Sequence, residues 1–393
     1  MVVQQGKQDI CSRDELHSYL EKNMQRSYEQ LSDRGKVESG TSFVKSFLLE
    51  CDWNPQQLET SDASYLCDLL SVKAEGRKRK VSDATIVDTN ESGFYIVNWT
   101  WNDVPITLYL DTISDSNRRF WRAYSLSNAQ YLDDILHRLI DSKNRLDRTW
   151  LWSSLLKSIQ QEGEPRGFRL EHDSSLFQEE NNEPFSLKFS GDDKRSELIL
   201  DLMNKSEELA PQTSLANVRM KYPRDHSGDF AIETVYYNGK LTSTGNSFAA
   251  HQTVLDCVQN VYSNKIYQIE SDYTILTTSD ETKWDIKGSP IIFDFSRSEI
   301  ANVDSFCKVV FSGKMPFKLW GTPRSTYGQE GRTVRAVDLH SGAKLFFEIY
   351  PDIICMYLYR GSCGNAAIRF YTNLQMNFSR LVDAQDESGN QFF

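Results

Sequence analysis

After residue 184 one order of elements occurs twice, and no other feature of the chain narrows its fold as much. The first copy opens with a strand at Phe185–Phe189 and a helix carrying Leu198, Ile199, Leu202 and Met203. Strands follow at Ala216–Tyr222, Phe230–Tyr237 and Lys240–Thr244, then a break at Gly245-Asn246-Ser247 and a helix carrying Val254, Leu255, Val258, Val261 and Tyr262. The second copy opens with a strand at Ile291–Phe295 and a helix around Ile300–Val310. Strands at Phe317–Trp320, Thr333–Leu339, Leu345–Tyr350 and Ile353–Tyr359 lead to a break at Gly361–Asn365 and a helix with Ile368, Tyr371, Leu374 and Phe378. β-Branched and aromatic runs bounded by Gly, Asn and Ser are strands joined by turns. A doubled unit of this kind predicts a tandem structural repeat.

The N-terminal part reads differently. Ser12-Arg13-Asp14-Glu15 is a capping box, and Leu16, Tyr19, Leu20, Met24 and Leu31 follow it at helical spacing. Phe43, Val44, Phe47 and Leu48 predict a second helix from Thr41, and Tyr65, Leu66, Leu69 and Leu70 a third that ends by Gly76. Strands are predicted at Ala84–Val87, Phe94–Trp101, Ile106–Leu110 and Phe120–Tyr124, then a helix with the stripe Leu132, Ile135, Leu136, Leu139 and Ile140. The stretch around 160–184 holds Glu162, Glu164, Glu171, Asp173, Glu179, Glu180 and Glu183, which marks a linker. The expected fold is α+β: N-terminal helices with a small mixed sheet, then two tandem units of antiparallel sheet packed on helices. The expected divisions are 1–160, an acidic linker at 161–184, and repeats at 185–284 and 285–393.

Charge limits the partners. The net charge of −11 disfavours indiscriminate binding to nucleic acid. It is unevenly spread, since Asp285–Phe393 holds 12 Lys and Arg against 11 Asp and Glu, a balance of +1. Within Lys308–Lys344 seven basic residues, Lys308, Lys314, Lys318, Arg324, Arg332, Arg335 and Lys344, face only Glu330 and Asp338. A second basic run is Arg77-Lys78-Arg79-Lys80. No apolar run reaches the roughly 18 residues of a membrane span. Seven scattered cysteines without a Cys-x-x-Cys read as reduced thiols of a cytoplasmic protein.

Two stretches resemble known families. Gly239-Lys240-Leu241-Thr242-Ser243-Thr244-Gly245, followed by a polar residue and an amphipathic helix, resembles the Gly-Lys-apolar-x-x-Thr-Gly segment of the TATA-binding-protein-like family. The repeat order is also that family's. The resemblance implies a concave sheet that meets nucleic acid with apolar wedges and polar groups. The second copy departs from it, with Tyr357-Leu358-Tyr359-Arg360-Gly361 at the equivalent place, and Asn238-Gly239 also reads as a plain hairpin turn. The segment from Phe43 to Asn54, with Gly76-Arg77-Lys78-Arg79-Lys80-Val81-Ser82-Asp83 after it, is similar to the nuclease domain that opens restriction-enzyme R subunits. That resemblance makes Asp83 the first metal-binding carboxylate, but Val97-Asn98-Trp99 stands where the family has Glu-x-Lys. It therefore implies an inactive nuclease-like domain, because a lone Asp does not hold Mg²⁺.

No catalytic motif is intact. There is no phosphate-binding glycine loop and no nucleophile elbow. The six histidines show no metal-type spacing, so no metal is expected. Asp272, Asp285 and Lys287 are the best set for a metal-dependent nuclease, the alternative function. Asp338 and Glu348 are expected to face solvent across a hairpin at Ser341-Gly342. Tyr95, Val97, Trp99 and Trp101 share one strand face, which is expected to be core. The expected function is non-catalytic: a binding or scaffold protein, an accessory subunit in nucleic-acid-directed, restriction- or defence-like machinery, or a purely protein-binding assembly factor. Its partner is nucleic acid or another protein subunit. The nucleic-acid-binding candidates are Arg77, Lys78, Arg79, Lys80, Lys314, Lys318, Arg324, Arg332 and Arg335. No cofactor or small-molecule ligand is indicated.

Overall fold

A computed structural model describes residues 10–32, 43–52, 62–72, 81–177, 184–191, 193–224, 228–280, 283–325 and 330–393. The first helix, α1 (Arg13–Ser32), begins at the expected capping box. The Glu15 amide donates to Ser12 Oγ at 3.2 Å, and the Glu15 carboxylate accepts from the Cys11 amide at 2.7 Å. Leu16, Leu20 and Met24 lie on its buried side.

The segment expected as a second helix is instead a strand, β1 (Val44–Cys51), buried along its whole length. Phe47, Leu49 and Cys51 point into one core and Val44 and Leu48 into the other. A strand covered on both faces loses the apolar-polar alternation that identifies strands in sequence, and its apolar run imitates a helix. Helix α2 (Asp62–Leu70) follows. Four strands, β2 (Thr85–Asp88), β3 (Phe94–Trp101), β4 (Val104–Asp111) and β5 (Phe120–Ser125), then form a meander. Helix α3 (Ala129–Ser142) carries the expected stripe, capped by Asn128, whose side chain accepts from the Gln130 amide. It packs on the Val97, Trp99 and Trp101 face of β3, so that aromatic face is core. Strand β6 (Leu146–Arg148) returns beside β1.

Helix α4 (Ser153–Glu162) leads into β7 (Glu164–His172), where a linker is expected. β7 is paired on both sides, with β8 (Phe185–Ser190) and β9 (Ser214–Tyr222). Its Phe168, Leu170 and His172 are buried while Arg169 is exposed. Of the charges that suggest a linker, Glu164 and Glu171 lie on β7, Glu162 ends α4 and Asp173 follows β7, while Glu179, Glu180 and Glu183 lie outside the described residues. Helix α5 (Asp193–Asn204) buries Ser196 and Leu200 and packs Ile199 and Met203 of the predicted stripe on the core, while Leu198 and Leu202 of that stripe are exposed. Strands β10 (Ala231–Tyr236) and β11 (Lys240–Gly245) and the long helix α6 (Phe248–Asp272) complete the middle of the chain.

β11 pairs with β1, so the middle and N-terminal strands make one antiparallel sheet in the order β2-β3-β4-β5-β1-β11-β10-β9-β7-β8, with β6 off β1. The second sheet contains β12 (Thr274–Asp280), β13 (Lys283–Lys287), β14 (Ile291–Asp294), β15 (Leu319–Ser325), β16 (Arg332–Asp338), β17 (Lys344–Ile349), β18 (Ile353–Tyr359) and β19 (Asp383–Gln385). Its order is β13-β12-β18-β17-β16-β15, with β14 between β18 and β19. Helices α7 (Val303–Val310) and α8 (Asn365–Asn377) belong to it. The protein is thus α+β, with two sheet units packed on helices, antiparallel throughout except where β12 runs parallel to β18.

The two copies in the sequence share element order, but their sheet orders differ. In the first the opening strand β8 lies beside β7, and in the second the opening strand β14 lies beside the last meander strand β18. The topological match to the second copy is residues 44–148. There β1 lies beside β5 and β6 beside β1, just as β14 lies beside β18 and β19 beside β14. Both run strand, helix, four-strand meander, helix, strand.

The turn between β10 and β11 places Gly239 at φ +75°, where a Cβ would meet Thr149 Oγ1 at 2.1 Å and the Leu48 carbonyl at 2.9 Å. Gly239→Val is therefore expected to lower stability by more than about 2 kcal/mol, since both the left-handed backbone and the clash oppose it. An unchanged urea midpoint would contradict this packing of the hairpin against β1.

Candidate functional site

A cavity of about 450 Å³ opens where the two sheets meet. Its walls come from the end of β1, the segment before β5, the last turns of α6, the β16–β17 turn and the β18–α8 turn. Asp338 shapes the β16–β17 turn by accepting from the His340 amide (3.2 Å), the Ser341 amide (3.3 Å) and Ser341 Oγ (2.9 Å). That turn delivers a buried His340 to the cavity. The chain leaves β18 through Gly361 at φ +83° and places Cys363 just before α8. Glu270 of α6 accepts from the Gly364 amide at 2.7 Å, which satisfies one of the open amides at the start of α8.

Arg119 organises the cluster. It pairs bidentately with Glu270 at 2.8 and 2.7 Å, and its Nε and Nη2 reach Glu50 Oε1 at 2.7 and 2.6 Å. Cys363 Sγ donates to the same oxygen at 3.0 Å and accepts from Arg119 Nη2 at 3.3 Å. Burial pulls the Arg119 guanidinium down, but Glu50, Cys363 and Glu270 outweigh it and its pKa ends raised. Burial, and then the charge of Glu50, push the Cys363 thiol well above its ordinary range. The other Glu50 oxygen, Oε2, lies 3.6 Å from His340 Nε2. Among the described residues neither Glu50 Oε2 nor His340 Nδ1 has a hydrogen-bond partner, although both are buried.

Deeper in the junction Arg369 of α8 lies between Asp147 of β6 and Asp338 of β16, with all three side chains fully buried. Arg369 Nε also donates to the Phe317 carbonyl at 2.8 Å, and Asn365 Nδ2 to Asp147 at 3.1 Å. Burial pushes the Asp147 carboxyl up, but Arg369 and Lys318 pull it down to about 2. Asp338 is likewise lowered, by Arg369 and His340 against the effect of burial. The expectation that Asp338 faces solvent is overturned. The hairpin is real, but its turn is pressed against the other unit, and Arg369 of α8 in its own unit compensates the charge.

A third polar group resembles a catalytic relay. Ser46 Oγ lies 2.7 Å from His251 Nε2, His251 Nδ1 lies 2.9 Å from Glu233 Oε2, and Ser243 Oγ donates to Glu233 Oε1 at 2.5 Å. The geometry fits a Ser-His-Glu triad. His251 and Glu233 are wholly inaccessible and Ser46 is fully buried mid-strand, so no substrate reaches the hydroxyl. These residues satisfy one another between the sheet and α6.

The outer face of the second sheet is open. Trp320, Thr322 and Arg324 alternate outward along β15, and cross-strand register places Thr322 opposite Arg335, Arg335 opposite Phe346, and Phe346 opposite Tyr357. Trp320 is 58% exposed and Tyr359 41%. Arg324, Arg335 and Lys344 are exposed too. The Phe346 and Tyr357 rings lie 5.5 Å apart, and the Tyr357 hydroxyl donates to Glu348 at 2.7 Å.

The sequence-derived candidates therefore separate. Arg324 and Arg335 share the open face, and Lys314 is exposed in the turn before β15. Lys318 is buried, contrary to its assignment as a binding residue. Its ammonium donates to the Ile140 carbonyl at 2.5 Å and to those of Lys143 and Leu146 at 3.4 Å, closing the end of α3. Arg332 grips Asp304 of α7 at 2.7 and 2.8 Å. Arg77, Lys78, Arg79 and Lys80 lie outside the described residues. Asp83 is exposed ahead of the edge strand β2. Asp272 is exposed at the end of α6 and accepts from Ser271 Oγ at 2.7 Å; the side chain of Asp285 lies outside the described residues. Glu50, Arg119, Glu270, His340 and Cys363 are absent from the sequence candidates because their spacing spans most of the chain. The one local signal is Gly361-Ser362-Cys363-Gly364, a thiol held at a helix start by a glycine turn.

These features define a two-sheet α+β protein whose topologically matched units enclose a polar junction. The chain belongs to the MJECL33-like protein family, whose model matches residues 4–391. It is 26% identical over 409 aligned positions to the uncharacterized protein MJECL33 of Methanocaldococcus jannaschii, covering 94% of this chain and 93% of that one. No helix among the described residues is long and apolar enough to cross a membrane.

Proposed function

We propose that the protein binds single-stranded nucleic acid on the open face of its second sheet and does so without hydrolysing it, as an accessory subunit in the cytoplasm. The observation that carries this reading is the combination on one face of exposed Trp320 and Tyr359 with exposed Arg324, Arg335 and Lys344. Aromatic rings on a sheet stack bases, and arginines beside them neutralise phosphates. The net charge of −11 over the whole chain keeps the contact local. None of the seven cysteines forms a disulfide, which supports a reducing compartment.

Fluorescence anisotropy with labelled single- and double-stranded DNA and RNA across a salt series tests the reading. Single strands are expected to bind at about 50 mM salt and to be released as salt rises. Trp320→Ala is expected to remove about 1–3 kcal/mol of binding, the contribution of one stacked base. Arg324→Glu with Arg335→Glu is expected to weaken binding at least tenfold and flatten the salt dependence. No binding of any nucleic acid at low salt rejects the reading and leaves the face to a protein subunit.

A further inference from the structure

We infer that Glu50, His340 and Cys363 form a binding site for one divalent transition-metal ion of the zinc class, with its fourth coordination position open to the cavity. This inference is independent of the sheet-face reading.

One ligand atom from each of the three residues lies within 4.8 Å of the others. Tetrahedral zinc with bonds of about 2.0–2.3 Å sets its ligands about 3.3–3.8 Å apart. The 3.6 Å between Glu50 Oε2 and His340 Nε2 already fits, so the remaining contraction is small. Carboxylate, imidazole and thiolate together suit zinc rather than calcium or magnesium, which take oxygen donors.

One unpartnered atom points the same way. Glu50 Oε2 is a buried carboxylate oxygen without a hydrogen bond, which is costly. Glu50 spends Oε1 on Arg119 and Cys363, yet its other oxygen, Oε2, turns to His340 Nε2 at 3.6 Å. Charge also balances. Arg119 and Glu270 cancel as a bidentate pair, and the carboxylate of Glu50 with the thiolate of Cys363 carries two negative charges, the complement of a divalent ion. Binding replaces the Cys363 S–H bond with a sulfur–metal bond and releases that proton to solvent. Arg119, already in contact with Glu50 Oε1 and Cys363 Sγ, then holds both ligands from behind, the outer-shell arrangement that orients metal ligands. The three donors come from β1, the β16–β17 turn and the β18–α8 turn, so an ion here would clamp the two units together.

The test uses the full chain stripped with chelator and titrated with Co²⁺, then Zn²⁺. One Co²⁺ per chain is expected, with a thiolate-to-cobalt charge-transfer band and the strong visible bands of a tetrahedral ion, both lost when Zn²⁺ displaces it. Cys363→Ser should abolish the charge-transfer band. His340→Gln and Glu50→Gln should each weaken Zn²⁺ by about a hundredfold or more, at or beyond the upper end of the roughly 10–100-fold that loss of an outer-shell partner costs. Cys51→Ser, on the same cavity wall, should retain the band. A second measurement needs no variant: Zn²⁺ should protect Cys363 of the native chain from alkylation, read by mass spectrometry. The inference is overturned by a missing charge-transfer band, by a band that survives Cys363→Ser, or by equal alkylation of Cys363 with and without Zn²⁺.

Discussion

Arg369→Met is expected to destabilise the protein by about 3–5 kcal/mol or to prevent folding. Breaking a buried ion pair leaves uncompensated charge, which costs far more than the pair contributes. Here one guanidinium serves two carboxylates, Asp147 and Asp338, and all three side chains have no solvent access. Methionine fills the volume but leaves two negative charges facing each other in the core. Adding Asp147→Asn and Asp338→Asn to Arg369→Met should recover part of the loss, because no charge is then stranded. Recovery should be incomplete, since Asp147 also accepts from the Trp150 indole and Asn365, and Asp338 holds its turn through Ser341. Urea unfolding measures all of this. A single variant within about 1 kcal/mol of the parent would show that the triad does not bind the units together.

Stability is expected to fall steeply with acid between about pH 4 and pH 2. The Asp147 carboxyl sits at about 2 in the folded chain, below its ordinary value of 3.8. A group depressed by folding stabilises above its unfolded pKa, and that contribution disappears as pH falls through the folded one. Asp147 alone accounts for about 2–3 kcal/mol, and Asp338 shifts in the same direction. The sign reverses in Arg369→Met. Without the guanidinium, burial favours the protonated acids, so this variant should gain stability as pH drops from 7 toward 4. Urea midpoints across pH measure both slopes. Parallel slopes in parent and variant would refute the role given to Arg369.

Much of the secondary structure was legible because local chemistry specified it. The Ser12 cap, the α3 stripe, the meander strands and the Asn238-Gly239 turn rest on residues within a few positions of one another. β1 and β7 were illegible for opposite reasons. β1 buries apolar residues on both faces with the polar Lys45, Ser46 and Glu50 buried among them, which erases the strand period. β7 carries outward charges that resemble a linker, while Phe168 and Leu170 alone mark its buried side. The doubled order was readable, but which segments match in sheet topology depends on where β14 and β8 insert, and nothing local encodes that.

The site divides along the same line. Arg324 of β15 and Arg335 of β16 were found from sequence as members of one basic run, and both stand on the open face. Lys318, in the same basic run, was misassigned because a neighbouring unit supplies the carbonyls that bury it. The amino-acid sequence by itself determined the α+β class, the strands and helices whose period is exposed to one solvent side, and the basic character of the second sheet's outer face. Only the tertiary structure decided that Glu50, His340 and Cys363 meet, and that Asp147, Asp338 and Arg369 share one buried site. Glu50 meets Cys363 across 313 positions and Asp147 meets Arg369 across 222, and the energies of such contacts arise only when both units exclude water from the same space.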